Sequence, residues 1–289
     1  MAMKQFLKNI FQFVFFGPHF QKEPLLRWII AGVISPLKIL KKKYKNVIFK
    51  YNMSSLYVHK VVKGFWWHSS REIQARNWVE NKLKDGDVFL NIGSHIGTFV
   101  IFANKMRKLK KTICIESSSN NVAELMINLN INNIDNTDIF HVAAGDRDEF
   151  VKFSYESLYA GYYNGRALDL HYQNKQKHPV VGSEFVQMKK IDNIIKENKL
   201  PYPNAILMDI DGHELLAIKG MENIFSNSAL RWAMIETNPS TDEFVANFMK
   251  KLGFSESAEY NILDESGRFD EEGKEVGGGS TYNKVFVRK

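Results

Sequence analysis

Apolar and polar residues follow two alternating patterns from residue 88 onward. Short apolar runs bounded by polar or glycine residues predict strands, and segments with apolar residues three and four apart predict amphipathic helices. Runs that are apolar throughout suit a parallel sheet with helices on both faces. We therefore predict an α/β fold with a doubly wound, mostly parallel sheet. The predicted strands are residues 88–92, 112–116, 138–142, 205–209 and 232–237.

Helices are predicted between these strands, and the end of the chain departs from the alternation. Two closely spaced strands, near residues 260–263 and 282–287, predict an antiparallel hairpin at one edge of the sheet. The acidic, glycine-rich connection at residues 265–280 predicts a mobile loop. The predicted helices are residues 97–108, 119–132, 213–225 and 241–252.

The chain divides by pattern into three parts. Residues 1–45 form a basic, aromatic-rich segment. Residues 46–84 contain two predicted strands, 47–51 and 56–62, and a helix from Ser70, which could cap it. Residues 85–289 form the main α/β domain.

An insertion at residues 157–185 interrupts the regular pattern of the main domain. Such an insertion often lies over the ligand crevice of a doubly wound sheet, where it could hold a substrate. The alternative is a surface excursion whose tyrosines pack on the domain. Its aromatic and imidazole side chains are Tyr159, Tyr162, Tyr163, His171, Tyr172 and His178.

The net charge of +7 is concentrated near the N-terminus. Residues 1–50 contain ten lysines and arginines against the single acid Glu23, which gives +9 and leaves −2 for the rest. Phenylalanines and lysines interleave there, a pattern that can lie on an anionic membrane surface. The alternative is a helical lid packed on the main domain.

Two further features bear on location. No apolar run approaches the roughly 20 residues that span a bilayer, and no secretory cleavage pattern is evident. The single cysteine, Cys114, lies in an apolar run and cannot form an intrachain disulfide. We expect a cytoplasmic protein, with the inner membrane surface as the alternative.

The first predicted strand leads into the loop Asn91-Ile-Gly-Ser-His-Ile-Gly. Gly93 permits a turn and close approach of a ligand, and Gly97 lets the following helix pack on the strand. A dinucleotide fingerprint would need another glycine at position 95, where His95 stands. The loop therefore argues against NAD.

Other strand ends add candidate ligand-binding groups at the same edge of the sheet. Glu116 ends the second strand, where its carboxylate could accept both hydroxyls of a ribose; a solvated or helix-capping glutamate is the alternative. After the third strand, Ala143-Ala-Gly-Asp146 could border an adenine. These placements suit an adenosyl cofactor without a pyrophosphate.

The fourth strand ends at Asp209, which we predict to face the crevice. Asp211 and Glu214 match a helix capping box, whereas His213 could take up a proton near neutral pH. Asp209, Asp211 and Glu236 could also hold Mg²⁺. Capping accounts for Asp211, and no zinc-like spacing occurs, so a metal is not favoured.

Together these segments resemble the FkbM family of S-adenosylmethionine-dependent methyltransferases. The family pattern Asp-x-Gly-Ala-Asn-x-Gly corresponds to Asn91–Gly97, its Glu-Pro strand end to Glu116-Ser117, and its Asp-x-Glu-Gly-x-Glu segment to Asp209–Glu214. The resemblance covers about residues 86–253. It implies a class I (Rossmann-like) methyltransferase fold, with S-adenosylmethionine as cofactor and S-adenosylhomocysteine as product. The implied acceptor is a hydroxyl of a sugar, glycan or secondary metabolite.

The resemblance implies Gly93 and Gly97 as the cofactor loop, Glu116 as the ribose ligand and Asp209 as an active-site carboxylate. With the residues argued above from their positions, the predicted catalytic residues are Asp209 and His213, and the predicted cofactor-binding residues are Asn91, Gly93, Ser94, His95, Gly97, Glu116 and Asp146.

Three positions depart from the family pattern. Asn91 replaces an aspartate, Ser94-His95 replaces Ala-Asn, and Asp211 replaces a glutamate. An amide at position 91 removes a negative charge near a cationic cofactor, so either affinity is lower or the amide supplies the hydrogen bond alone. This departure motivates a second hypothesis, a non-catalytic protein that keeps the cofactor fold. A third, an RNA methyltransferase, follows from the basic N-terminus, but no Asn/Asp-Pro-Pro-aromatic segment follows the fourth strand, so nucleic acid is not favoured.

Overall fold

The computed structural model describes residues 39–63, 65–66, 70–162, 166–167, 180–210, 212–257, 259 and 282–289. The chain divides into a unit of residues 1–40, of which only Ile39 and Leu40 are described, and a unit of residues 41–289. Several predictions lie outside the described residues: the aromatic segment as far as residue 38, Asp211, the strand at 260–263, the loop at 265–280, Tyr163, His171, Tyr172 and His178.

Thirteen strands and eight helices are formed by the described residues. The strands are β1 (Ile39–Tyr44), β2 (Val47–Asn52), β3 (Val88–Ile92), β4 (Lys111–Glu116), β5 (Thr137–His141), β6 (Ala143–Ala144), β7 (Glu149–Tyr155), β8 (Arg166–Ala167), β9 (Gly182–Lys189), β10 (Ala205–Met208), β11 (Trp232–Thr237), β12 (Phe254–Glu256) and β13 (Tyr282–Arg288). The helices are α1 (Leu56–Lys63), α2 (Ser70–Lys82), α3 (Thr98–Met106), α4 (Ser119–Ile131), α5 (Ile191–Glu197), α6 (Glu214–Lys219), α7 (Glu222–Ser226) and α8 (Asp242–Lys251).

The central sheet has seven strands in the order β12-β13-β11-β10-β3-β4-β5. β3, β4, β5, β10 and β11 pair in parallel, and β13 runs antiparallel to both β11 and β12. Every residue of β3 and β10 is buried, as expected for strands covered on both faces. The predicted doubly wound sheet with an antiparallel C-terminal edge is therefore confirmed, with β12 as a partner of β13.

The direction of winding reverses beside β3. From β3 the chain continues to β4 and β5 on one side, whereas β10 and β11 lie on the other. The carboxyl ends of β3 and β10 are neighbours, since Met208 pairs with Ile92. Ligands of open α/β sheets bind at such a reversal point.

Residues 56–62 were expected to form a strand, and that prediction was wrong. They form helix α1, whose start is capped because the Ser55 hydroxyl accepts a hydrogen bond of 3.1 Å from the Val58 amide. Val58, Val61 and Val62 are buried, at a spacing that places them on one helix face. The β-branched residues suggested a strand, but their helical period matches the observed element.

The single helix predicted at residues 213–225 is interrupted. It forms α6 and α7, which are separated by Gly220 and Met221. A Cβ at Gly220 would stand 1.9 Å from the carbonyl oxygen of Gly145, so only glycine fits at this break. The other predicted helices of the main domain match α3, α4 and α8 to within two residues at each end.

A second sheet, ordered β6-β9-β7-β8, has no counterpart in the sequence prediction. β7 and β9 pair antiparallel, and their residues alternate between buried and exposed. Phe153 and Val186 belong to the buried face, and Phe150 and Phe185 are exposed. The predicted insertion at 157–185 therefore includes β8 and the beginning of β9.

Candidate active site

One cavity lies at the carboxyl ends of β3, β4 and β10. Six of the predicted site residues line it: Gly93, Ser94, His95, Glu116, Asp209 and His213. The other three, Asn91, Gly97 and Asp146, are not among the described residues that line the cavity.

The loop after β3 is built on left-handed backbone conformations at alternate residues. The φ angles of Gly93, His95 and Gly97 are 79°, 51° and 87°. A Cβ at Gly93 would stand 1.9 Å from the carbonyl oxygen of Asp209, and one at Gly97 would stand 2.4 Å from Cδ1 of Leu125. Both glycines are therefore required, and the loop lies directly against the end of β10.

Four backbone amides of this loop donate hydrogen bonds to other groups of the protein. Those of Gly93 and Ser94 donate to the carbonyl of Ile115 at 2.9 and 3.0 Å, and that of Gly97 donates to the carbonyl of Ser94 at 2.9 Å. The amide of His95 donates to Oε2 of Glu116 at 2.7 Å. A pyrophosphate would need such amides as donors, and these four are already engaged within the protein.

Glu116 presents a fixed carboxylate to the cavity. Besides the bond from His95, its Oε1 accepts from the Ser118 amide at 2.9 Å, and the Asn121 side chain also hydrogen-bonds to it. Burial raises the pKa of Glu116 above its usual value, and these hydrogen bonds oppose the rise. Carboxylate oxygens with two lone pairs each retain capacity for further donors, such as sugar hydroxyls.

Asn91 lies in the middle of the buried strand, behind the loop, and is 1% exposed. Its amide nitrogen donates to the carbonyl of Leu207 at 3.3 Å, across the β3–β10 pairing. Its Oδ1 atom is buried and has no hydrogen-bond partner among the described residues. An aspartate here would bury a charge and lose the bond to Leu207, so the amide fits this structure as it stands.

The His95 ring is held inside the loop region. Removal from solvent lowers the pKa of His95 to about 4, although the nearby Asp209 carboxylate and a hydrogen bond with the Tyr162 backbone both raise it. The imidazole is therefore neutral near pH 7. Because it interacts with both groups, it connects the end of β10 to the segment after β7.

At the end of β10, Asp209 and His213 both face the cavity. Helix α6 begins at Glu214, with His213 as its N-cap residue, and Asp211 of the expected capping box lies outside the described residues, so that box stays a prediction. Glu214 folds back on the loop, and its Oε1 accepts from the amides of Ile210 and Gly212 at 3.1 and 3.2 Å. Burial raises the pKa of this carboxyl to about 7.

After β5, the two alanines line the cavity as the sequence indicated. Ala143 and Ala144 contribute to its wall, whereas the Asp146 carboxylate pairs with Arg147 at 3.0 Å. The proposed adenine border therefore depends on the alanines, and the role of Asp146 stays a prediction.

Several lining residues were not anticipated. Tyr155 and Met188 come from the second sheet, and Val61 and Phe65 come from the region of α1. The Tyr155 hydroxyl donates to Glu184, and the Ser119 amide contacts both. The alternating pattern Glu149–Tyr155 could have indicated a strand, but nothing in the sequence indicates that its buried face reaches this cavity.

Within the described part of the chain, no group of three or more histidine, cysteine and carboxylate side chains could hold a metal ion. Asp211, one of the three suggested Mg²⁺ ligands, lies outside that part. The helices of the described residues also include none long and apolar enough to cross a membrane.

Solved structures with a similar arrangement include three methyltransferase-related proteins. FkbM from Methylobacillus flagellatus is 17% identical, with a TM-score of 0.46 over 78% of this chain and 47% of that protein, so this chain spans about half its length. Precorrin-6y C5,15-methyltransferase from Geobacter metallireducens is 11% identical, with a TM-score of 0.45 over 76% and 90% of the two chains. TYW2 from M. jannaschii, solved with AdoMet, is 13% identical, with a TM-score of 0.41 over 87% of each chain.

Comparison with the curated proteins gave no match. The family model for the methyltransferase FkbM domain matches residues 87–256, which contain all of the predicted site residues. This match spans more than half of the chain, and the chain therefore belongs to the FkbM methyltransferase family.

Proposed function

We propose that this protein is an S-adenosylmethionine-dependent O-methyltransferase that acts on a hydroxyl of a sugar, glycan or secondary metabolite. One observation carries the proposal: a single cavity collects the Gly93 loop, the Glu116 carboxylate, and Asp209 with His213. A cofactor loop, a diol acceptor and a candidate base thus meet at the reversal point of the sheet.

The residues of the cavity fit this cofactor. Gly93 keeps the loop tight against the end of β10, because a Cβ there would stand 1.9 Å from the carbonyl oxygen of Asp209, and the loop and Asp209 therefore border the same cavity. Glu116 would hold the ribose hydroxyls, and Ala143 and Ala144 would border the adenine. The absence of a lysine or arginine from the described cavity lining also suits a cationic sulfonium.

When bound, S-adenosylmethionine would supply an electrophilic methyl group to the acceptor oxygen, with S-adenosylhomocysteine as the leaving group. The acceptor hydroxyl would lose its proton in this transfer. Asp209 or His213 would receive this proton. Alignment of the acceptor and exclusion of water by the cavity wall would supply most of the rate gain.

His213→Ala tests this assignment. We expect turnover to fall by roughly 10²-fold, because a positioned base contributes on the order of 10²–10⁴, while calorimetric affinity for S-adenosylmethionine changes little. Lys219→Ala, an exposed change on the same short helix, is the control. Unchanged turnover in His213→Ala would remove this residue from the mechanism and leave Asp209 as the candidate base.

A further inference from the structure

Two tyrosines from the segment after β7 form one part of the cavity wall. Tyr159 and Tyr162 line the cavity together with Asp209 and His213. Tyr57 of α1 packs against both rings, with centroids 6.2 Å from Tyr159 and 4.8 Å from Tyr162, the second in an edge-to-face arrangement. These rings therefore form a cluster, which we term the tyrosine platform (Tyr159 and Tyr162 on Tyr57).

The backbone beneath the platform is fixed by three contacts. The Ser55 hydroxyl donates to the carbonyl of Ala160 at 2.7 Å, and the Gly161 amide donates to Oδ1 of Asn121 at 2.9 Å. His95 hydrogen-bonds with the Tyr162 backbone. Because His95 and Asn121 also hydrogen-bond to Glu116, the platform is tied to the proposed cofactor site.

Gly161 allows the segment that carries Tyr159 and Tyr162 to lie close to α1. Its φ is 84°, and a Cβ there would stand 2.7 Å from the Val58 amide nitrogen. The segment therefore lies directly on α1, in a conformation that only glycine adopts without strain. A wall attached in this way is already formed before a ligand arrives, which reduces the ordering cost of binding.

The platform keeps apolar surface exposed at the cavity. Tyr159 is 62% exposed although Ser55 and Asn121 hold the backbone of the two residues that follow it. A large ring fixed beside a cavity can stack on the apolar face of a flat or cyclic ligand. Tyr159 is therefore positioned for contact with a ligand as well as for packing on the domain.

The charges of the cavity restrict that ligand. Among the described lining residues, the carboxylates are Glu116 and Asp209, and there is no lysine or arginine. His95, with its lowered pKa, is neutral near pH 7. A phosphate or carboxylate on the acceptor would approach these carboxylates with no lysine or arginine among the described lining residues to pair with it, which disfavours RNA and acidic sugars.

We propose that Tyr159 and Tyr162 form the acceptor subsite, in which the apolar face of an uncharged sugar ring packs on the tyrosines while a ring hydroxyl faces Asp209 and His213. This inference rests on the proposed function, in which the acceptor hydroxyl receives a methyl group from S-adenosylmethionine. It adds the residues that hold the acceptor and the requirement that the acceptor be neutral.

The test uses the full chain with bound S-adenosylhomocysteine and a library of neutral oligosaccharides, observed by saturation-transfer NMR. A matched library of phosphorylated and uronic-acid sugars and a short RNA are the competing probes. The variants are Tyr159→Ala, Tyr159→Phe and, as the control, Tyr202→Ala, a partly exposed tyrosine outside the cavity. Labelled methyl transfer to the same probes gives KM values.

We expect neutral rings to bind, and Tyr159→Ala to weaken that binding and raise the acceptor KM roughly tenfold, as the loss of a stacked ring implies. Tyr159→Phe should retain most of the affinity, and Tyr202→Ala all of it. Affinity for S-adenosylhomocysteine should be unchanged in every variant.

Three results would overturn the subsite: preference for the acidic probes or RNA, equal acceptor binding in Tyr159→Ala and the unaltered protein, or cofactor binding with no binding of any neutral ring. Failure to bind S-adenosylhomocysteine or S-adenosylmethionine would instead count against the proposed function. Binding of neutral rings that depends on Tyr159 would still support the subsite in that case, so the two failures are distinguishable.

Discussion

At Gly93 the backbone has a φ of 79° and lies against the carbonyl of Asp209, where a methyl group would be only 1.9 Å from the oxygen. Gly93→Ala should therefore lower the free energy of unfolding by about 1 kcal/mol for the left-handed conformation and a further 1–3 kcal/mol for the overlap. It should also abolish measurable binding of S-adenosylmethionine. Urea unfolding and calorimetry measure the two effects.

Gly86→Ala is the matched control for this change. Gly86 has a φ of 85°, but an added Cβ would meet nothing within 4 Å. It should show only the conformational cost, with cofactor affinity intact. Equal losses in the two variants would mean that the approach of the loop to β10 is not what requires glycine at position 93.

Glu214 gives a prediction about pH. Its folded pKa of about 7 lies above the usual 4.5, so between these values the folded state keeps a proton that the unfolded chain releases. Stability from this group is fully present below about pH 4.5 and falls as pH rises through 7, by roughly 3 kcal/mol in total.

Glu214→Gln should remove this fall, because glutamine can still accept from the amides of Ile210 and Gly212 but does not ionise. The measurement is the difference in unfolding free energy between the variant and the unaltered protein from pH 4 to pH 8, which cancels the titration of other groups. A constant difference across that range would show that Glu214 keeps an ordinary pKa.

Individual site residues were predictable where a strand ends. Gly93, Glu116 and Asp209 follow apolar runs, and parallel strands bring their carboxyl ends to one edge. The backbone of His95 has a left-handed φ. Asparagine, the residue of the family pattern at this position, tolerates that conformation well, and histidine is also found in it. A backward reach of Glu214 is what the capping-box pattern implies, but its two partners, the amides of Ile210 and Gly212, were not predictable because they depend on where α6 begins.

At the scale of elements, Asn128 of α4 and Asn132, the residue that caps the end of this helix, join it to β2. Oδ1 of Asn128 accepts from the Asn52 amide at 2.7 Å, and its Nδ2 donates to the carbonyl of Ile96 at 2.9 Å. Asn132 bonds both the amide and the carbonyl of Lys50. The helix thus supplies partners to the backbone of the strand and of the cofactor loop.

Asn128→Ala should lower the free energy of unfolding by roughly 2–4 kcal/mol, because two backbone groups lose their partners. It should also weaken cofactor binding through the loop at Ile96. Asn130→Ala, an exposed change on the same helix, should cost no more than about 0.5 kcal/mol. Similar unfolding midpoints in urea for the two variants would contradict this account of the contact between α4 and β2.

Strands and helices were predicted best where their own apolar residues form a continuous run or recur at a regular spacing. The five parallel strands are apolar runs and were found within two residues of their observed bounds. Helix α1 was mistaken for a strand because its valines favour strands locally, while its cap and buried face favour a helix. The second sheet was missed although β7 alternates, because β6 and β8 have only two residues each and β9 begins inside the predicted insertion.

For the whole molecule, the sheet order was inferable and the composition of the cavity wall was not. Alternating strands and helices admit few topologies, whereas Tyr155, Met188 and Phe65 reach the cavity from separate parts of the chain. Charge is also unevenly distributed over the whole chain. Residues 1–50 have a net charge of +9, whereas the described lining of the cavity contains two carboxylates and no lysine or arginine.

We propose that the cavity at the carboxyl ends of β3, β4 and β10 binds S-adenosylmethionine and that its methyl group is transferred there to oxygen. Incubation of the full chain with methyl-labelled S-adenosylmethionine and pools of glycans, small hydroxylated metabolites and RNA, followed by mass spectrometry of the labelled product, tests this proposal. We expect a labelled methyl ether on a hydroxyl acceptor and release of S-adenosylhomocysteine. Tight cofactor binding without transfer to any pool, or a label found on RNA alone, would contradict it.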